Sequence, residues 1–134
     1  MRLAFTDIFK YDISEIDNGH ERIIVMINEI GDCLGHGDFD SALRQVIHLI
    51  AVERKHAHYE NQLLERYHYS QADTHRGYHS LLKGVLSDIM VTLGDEDFER
   101  SKLLHRQLCH TFIDDLLTAD LPFKSLLQDR MLGR

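Results

Sequence analysis

The chain predicts an all-α fold, an antiparallel up-down-up-down four-helix bundle with a short C-terminal helical tail. Three observations predict it. Apolar residues recur at i+3 and i+4 through four long segments. Strand-like alternation is scarce, and the one proline, Pro122, lies near the C-terminus. The breaks between segments are short, which sets consecutive helices side by side and reversed.

The first helix is predicted from Ser14 or Asp17 to Cys33, with Ile16, His20, Ile23, Ile27, Ile30 and Leu34 on one stripe. Gly35-His36-Gly37-Asp38 breaks it. The second runs from about Asp40 to Tyr67, with Ala42, Val46, Leu49, Glu53, His56, Glu60, Leu63 and Tyr67 facing inward. The third starts near Gln71 or Ala72 and ends at Gly94, with His75, His79, Leu82, Leu86, Ile89 and Leu93 on its stripe. The fourth starts near Asp95, where Asp95, Glu96 and Asp97 complement the positive end of the helix dipole. It is expected to end near Thr118 or Asp120, with Pro122 stopping it and Phe123 to Leu132 forming the tail. Cys109, Phe112, Ile113 and Leu116 make a second apolar face on this helix. The tail, a second copy or a signalling partner would cover it.

Bulk properties narrow the function. At 134 residues the chain is one ordinary domain, 43% hydrophobic and 28% charged. Its net charge of −7 recommends neither nucleic acid nor an anionic membrane as partner. The longest wholly apolar run, Ile23 to Ile27, cannot span a bilayer, and the N-terminus lacks a signal-peptide pattern, so a cytoplasmic protein is expected. Cys33 and Cys109 are isolated and read as reduced thiols.

The ten histidines are the anomaly. His56-x-x-x-Glu60 and His75-x-x-x-His79 are both i, i+4 pairs, so each puts two ligand-type side chains on one helix face. With His20 they fall on the inward stripes. A buried glutamate among histidines is costly unless it is paired or coordinated. Imidazoles with a carboxylate suit iron, zinc, copper or manganese, and a bridging carboxylate favours a pair of ions. His36, His48, His58 and His68 fall off these stripes and are expected at the surface. Glu53 is either an acceptor for a ligand histidine or a partly exposed residue.

The chain resembles the bacteriohemerythrins, the prokaryotic branch of the hemerythrin family, over nearly its whole length. The residues that carry the likeness are Ile16-Asp17-Asn18-Gly19-His20, His56-Ala57-His58-Tyr59-Glu60, His75-x-x-x-His79 and His110-x-x-x-x-Asp115. The resemblance implies one hemerythrin-like domain over residues 1–134. It implies two non-haem iron ions (Fe2+/Fe3+) with a bridging oxo or hydroxo group. His75, His79 and His110 would bind one iron, His20 and His56 the other, and Glu60 and Asp115 would bridge them. Dioxygen would bind at an open position on the iron with two histidines. The implied function is reversible oxygen binding for delivery, storage or sensing. The alternatives are a sensory module for O2, NO or redox state that signals to a partner, and a di-iron oxidoreductase of peroxidase or NO reductase type. No added acid, base or nucleophile supports the enzymatic reading.

The fourth helix fits this pattern least well. His110 and Asp115 lie about 140° apart on an ideal wheel. Asp114 would align better with His110, and His105 is a rival to His110 that would put His110 at the carboxylate position. The family's tryptophan, leucine and isoleucine around its histidine become Arg106, Gln107 and Thr111. The phenylalanine after the second helix's histidine becomes Ala57. In that register the oxygen pocket is expected to be more polar or more open than a durable carrier's, with faster autoxidation and a role closer to sensing or redox chemistry than to storage.

Overall fold

A computed structural model describes residues 1–131 of the chain. Four long helices account for most of them: α1 (Ser14–Gly35), α2 (Phe39–Arg66), α3 (Ala72–Gly94) and α4 (Phe98–Asp114). A wider π-helical segment (Asp115–Asp120) and α5 (Leu121–Met131) follow α4 without a break. Among the described residues there is no strand. Each helix packs on the next, and α4 packs back on α1.

Local chemistry sets the helix boundaries. The Asp38 side chain accepts the Ser41 N–H at the start of α2, and the Asp97 side chain accepts the Arg100 N–H at the start of α4, each at 3.2 Å. Gly37, at φ 72°, supplies the left-handed turn between α1 and α2. α4 therefore starts a turn later than the acidic run Asp95–Asp97 predicts, because Asp97 is the cap rather than a helical residue.

Apolar side chains form two clusters. The larger includes Ile23, Ile27 and Ile30 of α1, Val46 and Leu49 of α2, Leu82 and Leu86 of α3, and Leu108, Phe112 and Leu116. The smaller consists of Tyr11, Ile16, Leu63, Leu64, Phe123 and Leu127. Along α1 the chain passes from the small cluster at Ile16, through His20, to the large one at Ile23. Along α2 the order reverses: Leu49, then His56 and Glu60, then Leu63. It reverses again on α3, from Ala72 at the small cluster through His75 and His79 to Leu82, and once more from Phe112 through Asp115 and Asp120 to Phe123. A polar layer is thus held between two apolar ones.

Two expectations for the fourth helix need correction. Pro122 does not stop it. The helix runs on into α5, and the π turn directly upstream absorbs the misfit of a residue that has no N–H and crowds the preceding turn. Leu132, the expected end of the tail, lies outside the described residues. The supposed second apolar face is the inner face: Cys109, Phe112 and Leu116 are at most 1% exposed and belong to the large core cluster. That face is not open to a partner, and the tail continues the helix instead of folding back over it.

The N-terminal residues lie against α1. The Asn28 side chain pairs with both backbone groups of Leu3, at 2.8 and 2.9 Å. Tyr11 is buried and its hydroxyl donates to the Asp120 carbonyl at 2.7 Å. No helix among the described residues is long and apolar enough to cross a membrane.

Candidate metal centre

His20, Glu60 and His75 are at most 1% exposed, and His79, Asp115 and Asp120 are buried with them. The His56 side chain joins them at 8% exposure. Glu60 stands at the middle. Its Oε1 lies 3.2 Å from His20 Nε2 and 2.7 Å from His56 Nε2. Its Oε2 lies 3.0 Å from His75 Nε2 and 3.4 Å from His79 Nε2. Asp120 repeats the pattern, with Oδ2 at 3.1 Å from His20 and Oδ1 at 3.2 Å from His75. Two carboxylates therefore each turn one oxygen to the α1/α2 histidines and the other to the α3 histidines.

Most of these contacts are not hydrogen bonds. His20 and His75 bond to Glu60. His56 Nε2, His79 Nε2 and both Asp120 oxygens have no hydrogen-bond partner, although opposing atoms lie close by. These atoms lie close together without making hydrogen bonds. Donors around one ion at about 2.1 Å stand about 3 Å apart along an octahedral edge, which is the spacing seen here. Buried polar atoms without partners are rare, and a cluster of them calls for a ligand. The buried His, Glu and Asp groups could hold a metal ion: His20, His56 and Glu60; Glu60, His75 and His79; and His75, Asp115 and Asp120 each bring ligand atoms within 4.8 Å of one another.

The electrostatics ask for positive charge at the same place. Burial opposes a charged His20, yet Asp120 and Glu60 beside it hold its pKa up at about 10. Burial would raise Glu60, but His56, His20 and His75 pull it well below the usual carboxylate range. Asp115 is pushed well above that range by burial and by the neighbouring Asp120 and Glu60. Burial also raises Glu53, with the His79 and His56 rings opposing it.

Local sequence explains the approach of α1. Gly19 lies against the His56 ring, and a Cβ at this position would collide with His56 Nδ1. Two surface clefts reach the cluster. One of about 390 Å³ between α1 and α2 has Gly19 and His56 in its wall; the other, of about 360 Å³ between α2 and α3, has Glu53 and His79.

Of the seven residues expected at the site, the structure brings together His20, His56, Glu60, His75, His79 and Asp115. It does not bring His110, which is exposed on the outer side of α4. Asp114 is exposed as well. The physical reason is the burial of Cys109 and Phe112: once these face the core, His110 between them must face out. His105 is buried but lies elsewhere, with Nε2 2.8 Å from the Ile27 carbonyl. Asp120 was missed by sequence reasoning. The signal was present, since Asp115-x-x-x-x-Asp120 repeats the spacing of His110-x-x-x-x-Asp115 five residues on. The change of register also takes two of the residues behind the polar-pocket expectation away from the site. Arg106 and Gln107 are exposed, and Phe112 and Leu116 flank Asp115 instead. His36, His48, His58 and His68 are exposed as expected.

Comparison with protein-family models, with curated proteins and with solved structures finds no match for this chain.

Proposed function

We propose that the chain is a hemerythrin-like protein, an antiparallel up-down-up-down bundle that holds two non-haem irons with an oxo or hydroxo bridge and binds dioxygen there. One observation carries this reading: Glu60 and Asp120 each present one oxygen to each of two separate histidine groups. A single ion would need one oxygen from each carboxylate; two neighbouring ions use both. The alternating order of the two apolar clusters along successive helices supports the antiparallel arrangement. His20 and His56 would hold one ion, and His75 and His79 the other, with Glu60 and Asp120 spanning them.

When bound, two irons supply two one-electron changes and a coordination position for a diatomic ligand. The chain's own residues do the rest. Ile23, Leu82 and Phe112, all buried, keep bulk water from one side of the polar layer, and Tyr11 and Phe123 from the other. The cleft beside His56 gives a small neutral molecule a path of access on the α1/α2 side. The expected outcome of anaerobic Fe(II) loading and exposure to air is two irons per chain and a new visible absorption band that disappears on removal of oxygen. One zinc per chain, or no iron, would end the di-iron reading.

A further inference from the structure

We propose that Asp115 is a third anionic ligand of this centre, standing where the hemerythrin pattern has a histidine, and that it biases the metal pair toward its oxidised state. The inference rests on the dinuclear reading above. Asp115 precedes Asp120 by the spacing that separates histidine from aspartate in the family pattern. It is 3% exposed, its Oδ1 has no hydrogen-bond partner, and its ligand atom lies within 4.8 Å of those of His75 and Asp120. The π turn between the two aspartates makes this possible, since i→i+5 bonding brings residues five apart toward one face.

The electrostatic consequence follows from counting charge. The expected donor set is five neutral imidazoles and two carboxylates. The structural set is four imidazoles, from His20, His56, His75 and His79, and three carboxylates, from Glu60, Asp115 and Asp120. One further buried negative charge stabilises Fe(III) more than Fe(II), because the attraction scales with the ion's charge and the surroundings screen it weakly. Phe112 and Leu116, beside Asp115, keep those surroundings apolar. A hard oxygen donor in place of nitrogen also favours iron or manganese over copper. A centre biased in this way suits a redox or oxygen sensor better than a long-lived oxygen carrier.

The test compares the wild type with D115H, D115N, D115E and H110A after anaerobic iron loading. Iron content is counted, and the midpoint potential is read by mediated spectroelectrochemical titration. The expected result is two irons in the wild type, a higher midpoint in D115H and D115N, a midpoint in D115E nearer the wild type's than D115N's, and wild-type behaviour in H110A. Loss of one iron from a folded D115N also supports the assignment. Two irons at an unchanged potential in D115H and D115N overturn it, as does loss of iron from H110A but not from D115N. A wild type that does not take up two irons overturns the dinuclear reading itself, a different readout from an unchanged potential.

Discussion

Asp115 and Asp120 stand five residues apart on one unbroken helical run, and both reach the same buried histidine, His75. On an α-helix that separation leaves about 140° between side chains. The π segment closes the gap, and Pro122 lies just beyond it. A local irregularity of the backbone thus completes the polar layer, as π turns often do at functional sites.

The first prediction separates the two candidate registers of α4. Asp120→Ala removes a carboxylate that faces both histidine groups, whereas His110→Ala removes an exposed side chain. Fe(II) uptake, measured by competition with a chelator, should weaken on the order of 100-fold or more in Asp120→Ala. His110→Ala should stay within about 2-fold of the wild type, since surface changes away from a site are usually neutral.

The sequence made most of this legible for the first three helices. There the 3.6-residue stripe and the ligand spacing agree, so finding the core face of α1, α2 or α3 also finds His20, His56, Glu60, His75 and His79. The fourth helix was misread for a definite reason. Two overlapping five-residue spacings, starting at His110 and at Asp115, compete there, and the choice depends on which side of α4 is buried. Cys109, Phe112 and Leu116 answered that, but they had been read as a second face. The π turn has no periodic signature in the residues, so the convergence of Asp115 with Asp120 could not be found from an ideal wheel.

Gly19 is a contact rather than a turn. A methyl group there would collide with the His56 ring, so Gly19→Ala must push α1 away from α2 or rotate His56 out of the cluster. We expect a loss of about 1–3 kcal/mol in urea denaturation, the usual cost of overpacking. On the dinuclear reading, metal uptake should fall at the His20/His56 side first, to about one ion per chain from the two proposed. Unchanged stability and unchanged metal content together would show that His56 has room to spare.

His105 gives a pH dependence independent of the buried histidine and carboxylate cluster. Its burial lowers its pKa, against the opposing effect of its hydrogen bond to Ile27 O. Below about pH 6.5 the unfolded histidine binds a proton that the folded one resists. Its contribution is therefore fully present above that pH and is lost as pH falls toward the lower folded value. His20 has the opposite sign: its pKa is raised to about 10, so its contribution is present below about pH 6.5 and lost as pH rises through about 10. The difference between wild-type and His105→Leu apoprotein removes the His20 effect, which both share. Urea midpoints should favour the wild type by about 1–3 kcal/mol at pH 7.5, and the gap should shrink at pH 5. A gap independent of pH would show that His105 is not held neutral.

The N-terminal segment supplies the last prediction. Asn28 returns both hydrogen bonds of Leu3, accepting from its N–H and donating to its carbonyl, in a buried setting. Arg2 and Asp32 form a two-bonded ion pair nearby, at 2.7 and 2.9 Å, but it is exposed. Burial decides which matters. Removing Asn28 strands two buried backbone groups, each costing about 1–3 kcal/mol, whereas an exposed ion pair is worth about 0–1 kcal/mol. Asn28→Ala should therefore release residues 1–5 to rapid amide exchange and proteolysis, while Arg2→Ala should leave their protection almost unchanged. Because Tyr11 ties the far end of the same segment to the Asp120 carbonyl, exchange in Asn28→Ala should stop short of Tyr11. Exchange spreading through Tyr11 into the π turn would show instead that the whole N-terminal segment opens as one unit with the floor of the candidate metal site.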